Sequence, residues 1–150
     1  MRPQPQATMN SHRSDAHSAR FLRDGPRMRR KIQIAEKRFT HPADVVFHQL
    51  CPSRELDWIA GWDCDLVFTS TGYMEKDCVF MTAPTNPFGP GIWVVSRYKP
   101  DEKLELVRII GQDLSIHFRI SLRGNGDGTC TGFWHLTFTA LNDTGNAMVD

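Results

Sequence analysis

The stretch from Asp113 to Leu141 constrains the fold more than any other part of the chain. Residues 113–123 read DLSIHFRISLR and residues 129–141 read TCTGFWHLTFTAL. Both alternate apolar and polar side chains at period two, the pattern of half-buried strands. In the first, Leu114, Ile116, Phe118, Ile120 and Leu122 share a face, with Ser115, His117, Arg119, Ser121 and Arg123 opposite. In the second, Cys130, Trp134, Leu136, Phe138 and Ala140 oppose Thr131, Phe133, His135, Thr137 and Thr139. The segment Gly124-Asn125-Gly126-Asp127-Gly128 between them reads as a hairpin turn. Opposed residues of an antiparallel pair point the same way, so their numbers sum to an even value. A five-residue loop over 124–128 gives 252 and sets Phe118 against Trp134, Ile116 against Leu136 and Leu114 against Phe138. The result is an aromatic, concave-facing wall.

Upstream, the same logic yields a strand, helices and a run of further strands. Residues 31–39 (KIQIAEKRF) form a strand ended by Thr40-His41-Pro42. PADVVFHQLC then places Val45, Val46, Phe47 and Leu50 at helical spacing, with Pro42 in the first turn and Pro52 closing the helix. A second short helix is expected over Arg54–Ile59, capped by Ser53 and stopped by Gly61. Strands follow near 63–70, 77–83, 91–98 and 103–110, separated by short turns. Connections this short make neighbours antiparallel, so the sheet is a meander with the helices inserted after its first strand.

Residues 1–29 are rich in Pro, Gln, Ser, Arg and Gly and have little apolar periodicity, so they read as a disordered tail. Met28 offers an alternative start, and no function is assigned to the tail. Eight Arg and Lys within residues 1–31, against Asp15 and Asp24, hide a mildly acidic remainder of ten basic and fifteen acidic residues. A fold of that charge is not expected to bind nucleic acid. No apolar run approaches the eighteen or so residues of a membrane span. Cys51, Cys64, Cys78 and Cys130 are separated by 12, 13 and 51 residues, with no C-x-x-C pair, and no secretory leader is expected. They read as buried, reduced thiols of a cytoplasmic protein rather than a zinc site or disulfide frame.

A strand, two short helices, a meander and a last segment opening at Asn142-Asp143 resemble the helix-grip fold of the START-like, or SRPBCC, superfamily, which includes the Bet v 1-like proteins. The likeness covers residues 28–146, in LCPSRELDWIAGWDCDLVFTS, CVFMT, IWVVSRY and GDGTCTGFWHLTFTALNDTGN, which are similar to an uncharacterised bacterial subgroup. It implies an α+β domain over 30–150, with a curved antiparallel sheet of six to seven strands gripping a long C-terminal helix across an apolar cavity. The sequence stops where that helix should be starting. The helix is therefore expected to be truncated, with cover from a second copy, a homodimer, as the alternative.

The resemblance points to a hydrophobic small molecule, a lipid or an aromatic compound, as the partner, with no cofactor implied. Trp58, Trp62, Phe80, Trp93, Phe118, Trp134 and Phe138 are the expected lining, although each could equally fill a core. Arg108 lies between Leu106 and Ile110 at period two, which places it in the cavity; alternatively Val107 and Ile109 form the buried face and Arg108 is outside. A cyclase-like or hydrolase-like enzyme using Arg108 or Asp57 is a second reading, and a partner-binding regulator a third. In the register above His117 faces His135 on the polar side, but two imidazoles without a third ligand do not make a metal site. Arg54, Glu55 and Asp57 are expected to tie the 51–65 corner by ion pairs and caps. His48 is expected to be exposed.

Overall fold

The computed structural model describes residues 27–150. The reading of residues 1–26 as part of a tail lies outside the described residues. Met28 packs against an apolar cluster, and the Arg29 carbonyl accepts a hydrogen bond from the Ala140 amide (2.9 Å). Seven strands form one antiparallel sheet: β1 Arg30–Phe39, β2 Asp65–Phe68, β3 Val79–Thr82, β4 Gly91–Lys99, β5 Lys103–Ile110, β6 Leu114–Gly124 and β7 Cys130–Ala140. Their order in space is β1-β7-β6-β5-β4-β3-β2. Six strands follow the chain, as short turns require. The first strand instead pairs with the last, with Ala35 opposite Trp134 and Phe39 opposite Cys130.

Within the final hairpin the faces are those expected, but the register differs. Ile120 faces Trp134, Phe118 faces Leu136, Ile116 faces Phe138 and Leu114 faces Ala140. The turn explains the slip of two. The Asn125 amide donates to the Thr129 carbonyl (3.0 Å), and Asp127 Oδ1 accepts from the Thr129 amide (3.0 Å). The loop is therefore 125–129, and Gly124 stays in the ladder opposite Cys130. Because the slip is even, every side chain keeps its face. His117 now faces Thr137, and Arg119 faces His135. The imagined histidine pair does not form, and no three His, Cys, Asp or Glu side chains gather into a metal cage among the described residues.

Helix α1, Ala43–Gln49, starts one residue after Pro42 and buries Val46 and Phe47 against the sheet. The second expected helix shrinks to a 3-10 turn, Glu55–Asp57. Ser53 does not cap it; its Oγ lies 3.1 Å from Cys51 Sγ. Gly61 ends the corner at φ +75°, a left-handed conformation that suits glycine. At the far end of the chain, Asn142 caps helix α2, Asp143–Val149, by accepting from the Gly145 amide (2.8 Å). Its Nδ2 also donates to Asp113 Oδ1 (2.7 Å). A β-carbon at Gly145 would come within 1.9 Å of the Asp113 carbonyl oxygen, so only glycine lets α2 approach the β5–β6 turn this closely.

The core divides in two. A larger cluster joins α1 and the 51–65 corner to the inner face of the sheet, through Phe47, Trp62, Phe80, Trp93, Val95 and Leu104. A smaller one gathers Leu114, Ile116, Ala140 and Val149 under α2. Cys51, Cys78 and Cys130 are buried and Cys64 is half-buried.

Candidate functional site

Side chains of the concave face fall into rows across the strands. One row runs Phe80, Trp93, Arg108, Ile116, Phe138 and Lys31, from β3 to β1. The next runs Val95, Leu106, Phe118, Leu136 and Gln33. A third contains Leu104, Ile120, Trp134 and Ala35. Arg108 is thus on the inner face, the first of its two alternatives, and is the one cation in an otherwise apolar stretch from Phe80 to Phe138.

Most of the expected lining is present on this face, at different depths. Phe80 stacks on Trp93 with ring centroids 5.4 Å apart and planes 11° apart, and Trp93 meets Phe118 at 5.2 Å. Offset contacts of this kind add to simple burial. The Trp93 indole N–H donates to Thr82 Oγ1 (3.1 Å). Trp62 is buried, donates to the Pro52 carbonyl (2.9 Å) and meets the edge of Phe88. Trp134 tilts against Phe39 at 5.9 Å. Phe118, Trp134, Leu136 and Phe138 are only half-buried. Trp58 is elsewhere: it is 54% exposed, belongs to neither cluster, and donates to the Gln49 carbonyl on the outside of the corner (2.8 Å).

Arg108 is 6% exposed, and its guanidinium lies 4.8 Å from the Trp93 ring. Its Nη2 donates to the carbonyls of Phe88 (2.5 Å) and Pro90 (2.8 Å). The loop it holds is fastened to the corner as well. Asn86 Nδ2 donates to the Asp63 carbonyl (2.7 Å), and Phe88 packs on Trp62. The sheet centre, the 86–90 loop and the 51–65 corner are therefore tied to one another through these contacts.

Two features were missed from sequence. Glu55 does not tie the corner by an ion pair: it is half-buried, and burial pushes its carboxyl from an ordinary 4.5 up to about 8. The same burial, with Glu55 nearby, pushes the Cys64 thiol up to about 11. Arg54 and Asp57 do approach each other, at 4.0 Å, but both are exposed and the pair contributes little. Nothing in the local sequence of Glu55 separates it from its exposed neighbours. The second feature is a cleft of about 640 Å³ between α1 and residues 71–75, floored by Phe47, Cys51, Met74 and Tyr98. His48, exposed as expected, stands beside it.

A carboxyl whose pKa is raised on folding favours the folded state fully below its unfolded value and loses that contribution as pH climbs through the folded one. Stability is therefore expected to fall between about pH 5 and pH 8, by at most about 1.4 kcal/mol per pH unit. Glu55→Gln should flatten that segment and be the more stable protein above pH 8. Urea midpoints measured across this range check the slope; identical profiles for the two proteins would remove Glu55 as its source.

No family model matches the sequence, and no curated protein matches it. Solved structures do match. Norcoclaurine synthase from Thalictrum flavum, in complex with dopamine and hydroxybenzaldehyde, aligns at 10% identity over 93% of this chain and 83% of its own, with a TM-score of 0.59. An uncharacterised protein from Rhizobium leguminosarum aligns at 13% identity over 81% and 87%, with a TM-score of 0.58. CalU16 from Micromonospora echinospora aligns at 14% over 83% and 77%, with a TM-score of 0.52. At such identities the likeness establishes the fold alone: a Bet v 1-like, helix-grip α+β architecture.

Proposed function

We propose that this Bet v 1-like fold binds an apolar, aromatic-sized small molecule against its concave sheet face. One observation carries the reading. Phe118, Trp134, Leu136 and Phe138 stay half-buried in rows whose β5 members, Leu104, Leu106 and Arg108, are buried. Inward apolar side chains left partly open beside a rigid aromatic stack make a surface a ligand can complete. Phe80, Trp93 and Trp62 form the packed back of this site, Arg108 supplies its polar point, and Trp58 is not part of it. The structure of norcoclaurine synthase in complex with dopamine and hydroxybenzaldehyde, which has the same fold, supports ligands of that size. Residues 30–150 act as the binding unit. A second copy lying over the open faces of β6 and β7 is a further form of the same reading, and the buried thiols suit a reducing, cytoplasmic setting. Among the described residues no helix is long and apolar enough to cross a membrane.

The full-length protein purified from its own host and examined by native mass spectrometry should carry a co-purifying lipid or aromatic compound. Stripped protein should show saturable tryptophan quenching with a naphthalene probe. An empty protein that also fails to respond to the probe would overturn the reading.

A further inference from the structure

We infer that the ligand of the concave site carries a carboxylate, and that Arg108 receives it. The inference rests on the binding reading above and specifies the chemistry of one end of the ligand. Arg108 is more than nine-tenths buried, in a row whose neighbours across the sheet are Trp93 and Ile116. Among the described residues no carboxylate lies within ion-pair distance of it. Its only hydrogen bonds there are the two from Nη2 to backbone carbonyls, while Nε is fully buried without a partner.

Two carbonyl dipoles satisfy part of the fork but do not neutralise the charge. A buried guanidinium with no counter-ion is costly, and an arginine is not needed merely to hold a loop. The local backbone is nevertheless shaped around this side chain. A β-carbon at Gly91 would lie 2.7 Å from Arg108 Nε and 3.0 Å from Cγ, and one at Gly89 would lie 3.6 Å from Nη2. Glycine thus seals the Nε side and the loop carbonyls occupy Nη2. That leaves Nη1, which makes no hydrogen bond among the described residues.

The aromatic neighbours of the guanidinium suit an amphipathic ligand. Trp93 stacks beneath the guanidinium and also touches Phe118, so an aromatic body resting on Phe118 and Leu136 would bring an acidic end toward Arg108. A carboxylate there makes a charge-assisted hydrogen bond in a place poorly screened by water. A neutral polar end would leave the cation uncompensated. The stacked Trp93 ring already favours the cation, and so fixes where the charge sits rather than replacing the anion.

The test compares two probes of one shape, 2-naphthoate and 2-naphthalenemethanol, by tryptophan quenching of the full chain at pH 7.5. The wild type should bind the acid about tenfold to a hundredfold more tightly, the range expected for one hydrogen bond to a buried charge. Arg108→Gln should bring the ratio close to one while still binding the alcohol, and Arg108→Lys should keep most of the preference. Equal affinities in the wild type, or a preference unchanged in Arg108→Gln, would overturn the inference and leave the apolar site standing. Failure of both probes to bind the wild type would overturn both readings. Circular dichroism of each variant guards against loss of fold, and the wild-type acid-to-alcohol ratio still decides the inference if Arg108→Gln unfolds.

Discussion

Replacing Trp93 with alanine is expected to cost about 3–5 kcal/mol of folding stability, the range for deleting a large aromatic from a core. The ring is the hub of the concave face. It stacks on Phe80, meets Phe118, lies under the Arg108 guanidinium and donates to Thr82. Truncation removes all four contacts at once and leaves a cavity that rigid strands on both sides cannot close. Domains of this size are stable by only about 5–15 kcal/mol, so the loss should move the urea midpoint far to lower concentration. Trp93→Phe should keep most of the stability, since Thr82 Oγ1 still donates to the Gly89 carbonyl. A Trp93→Ala protein with an unshifted midpoint would show that the stack is not part of the folding core.

Phe47→Ala is expected to have an effect of similar size, about 3–5 kcal/mol, but with a different spatial signature. Helix α1 has seven residues, and its N-cap Pro42 provides no side-chain hydrogen bond. Helices that short do not hold themselves together in water and depend on packing. Phe47 is the main anchor: it is 1% exposed, and its ring lies 5.5 Å from that of Tyr98 on β4. Without it α1 should open well before the sheet, and amide exchange in 43–49 should accelerate far more than in β5 or β6. Uniform acceleration throughout the chain would contradict this picture.

The faces of the strands were legible because period-two alternation is a local property, and even an incorrect register preserved it. The register itself depended on how Asn125, Asp127 and Thr129 share hydrogen bonds in the turn, which no count of loop residues reveals. Pairing of β1 with β7 was not visible either, since RKIQIAEKRF carries no mark of its partner. At the site, Arg108 could be placed on an apolar face by its neighbours, but its inward direction followed only from the opposed Trp93 and Ile116. Trp58 and Trp62 look alike in the sequence and differ in the fold. The backbone turns between them at Gly61, and one indole points out while the other enters the core. Glu55 was hidden for a similar reason: the direction of a side chain on a one-turn helix is set by what it packs against.

The close fit of Gly91 beneath Arg108 also bears on how this chain can vary. An arginine can be held at position 108 only while position 91 lacks a side chain, and position 91 can gain one only after 108 has become shorter. A side chain gained at position 91 clashes while Arg108 is in place and no longer does so once 108 is shorter, so the order of substitution matters as much as the substitutions themselves. Two positions seventeen residues apart therefore behave as a single inherited character. A relative that keeps the arginine and has lost the glycine would need a differently built loop.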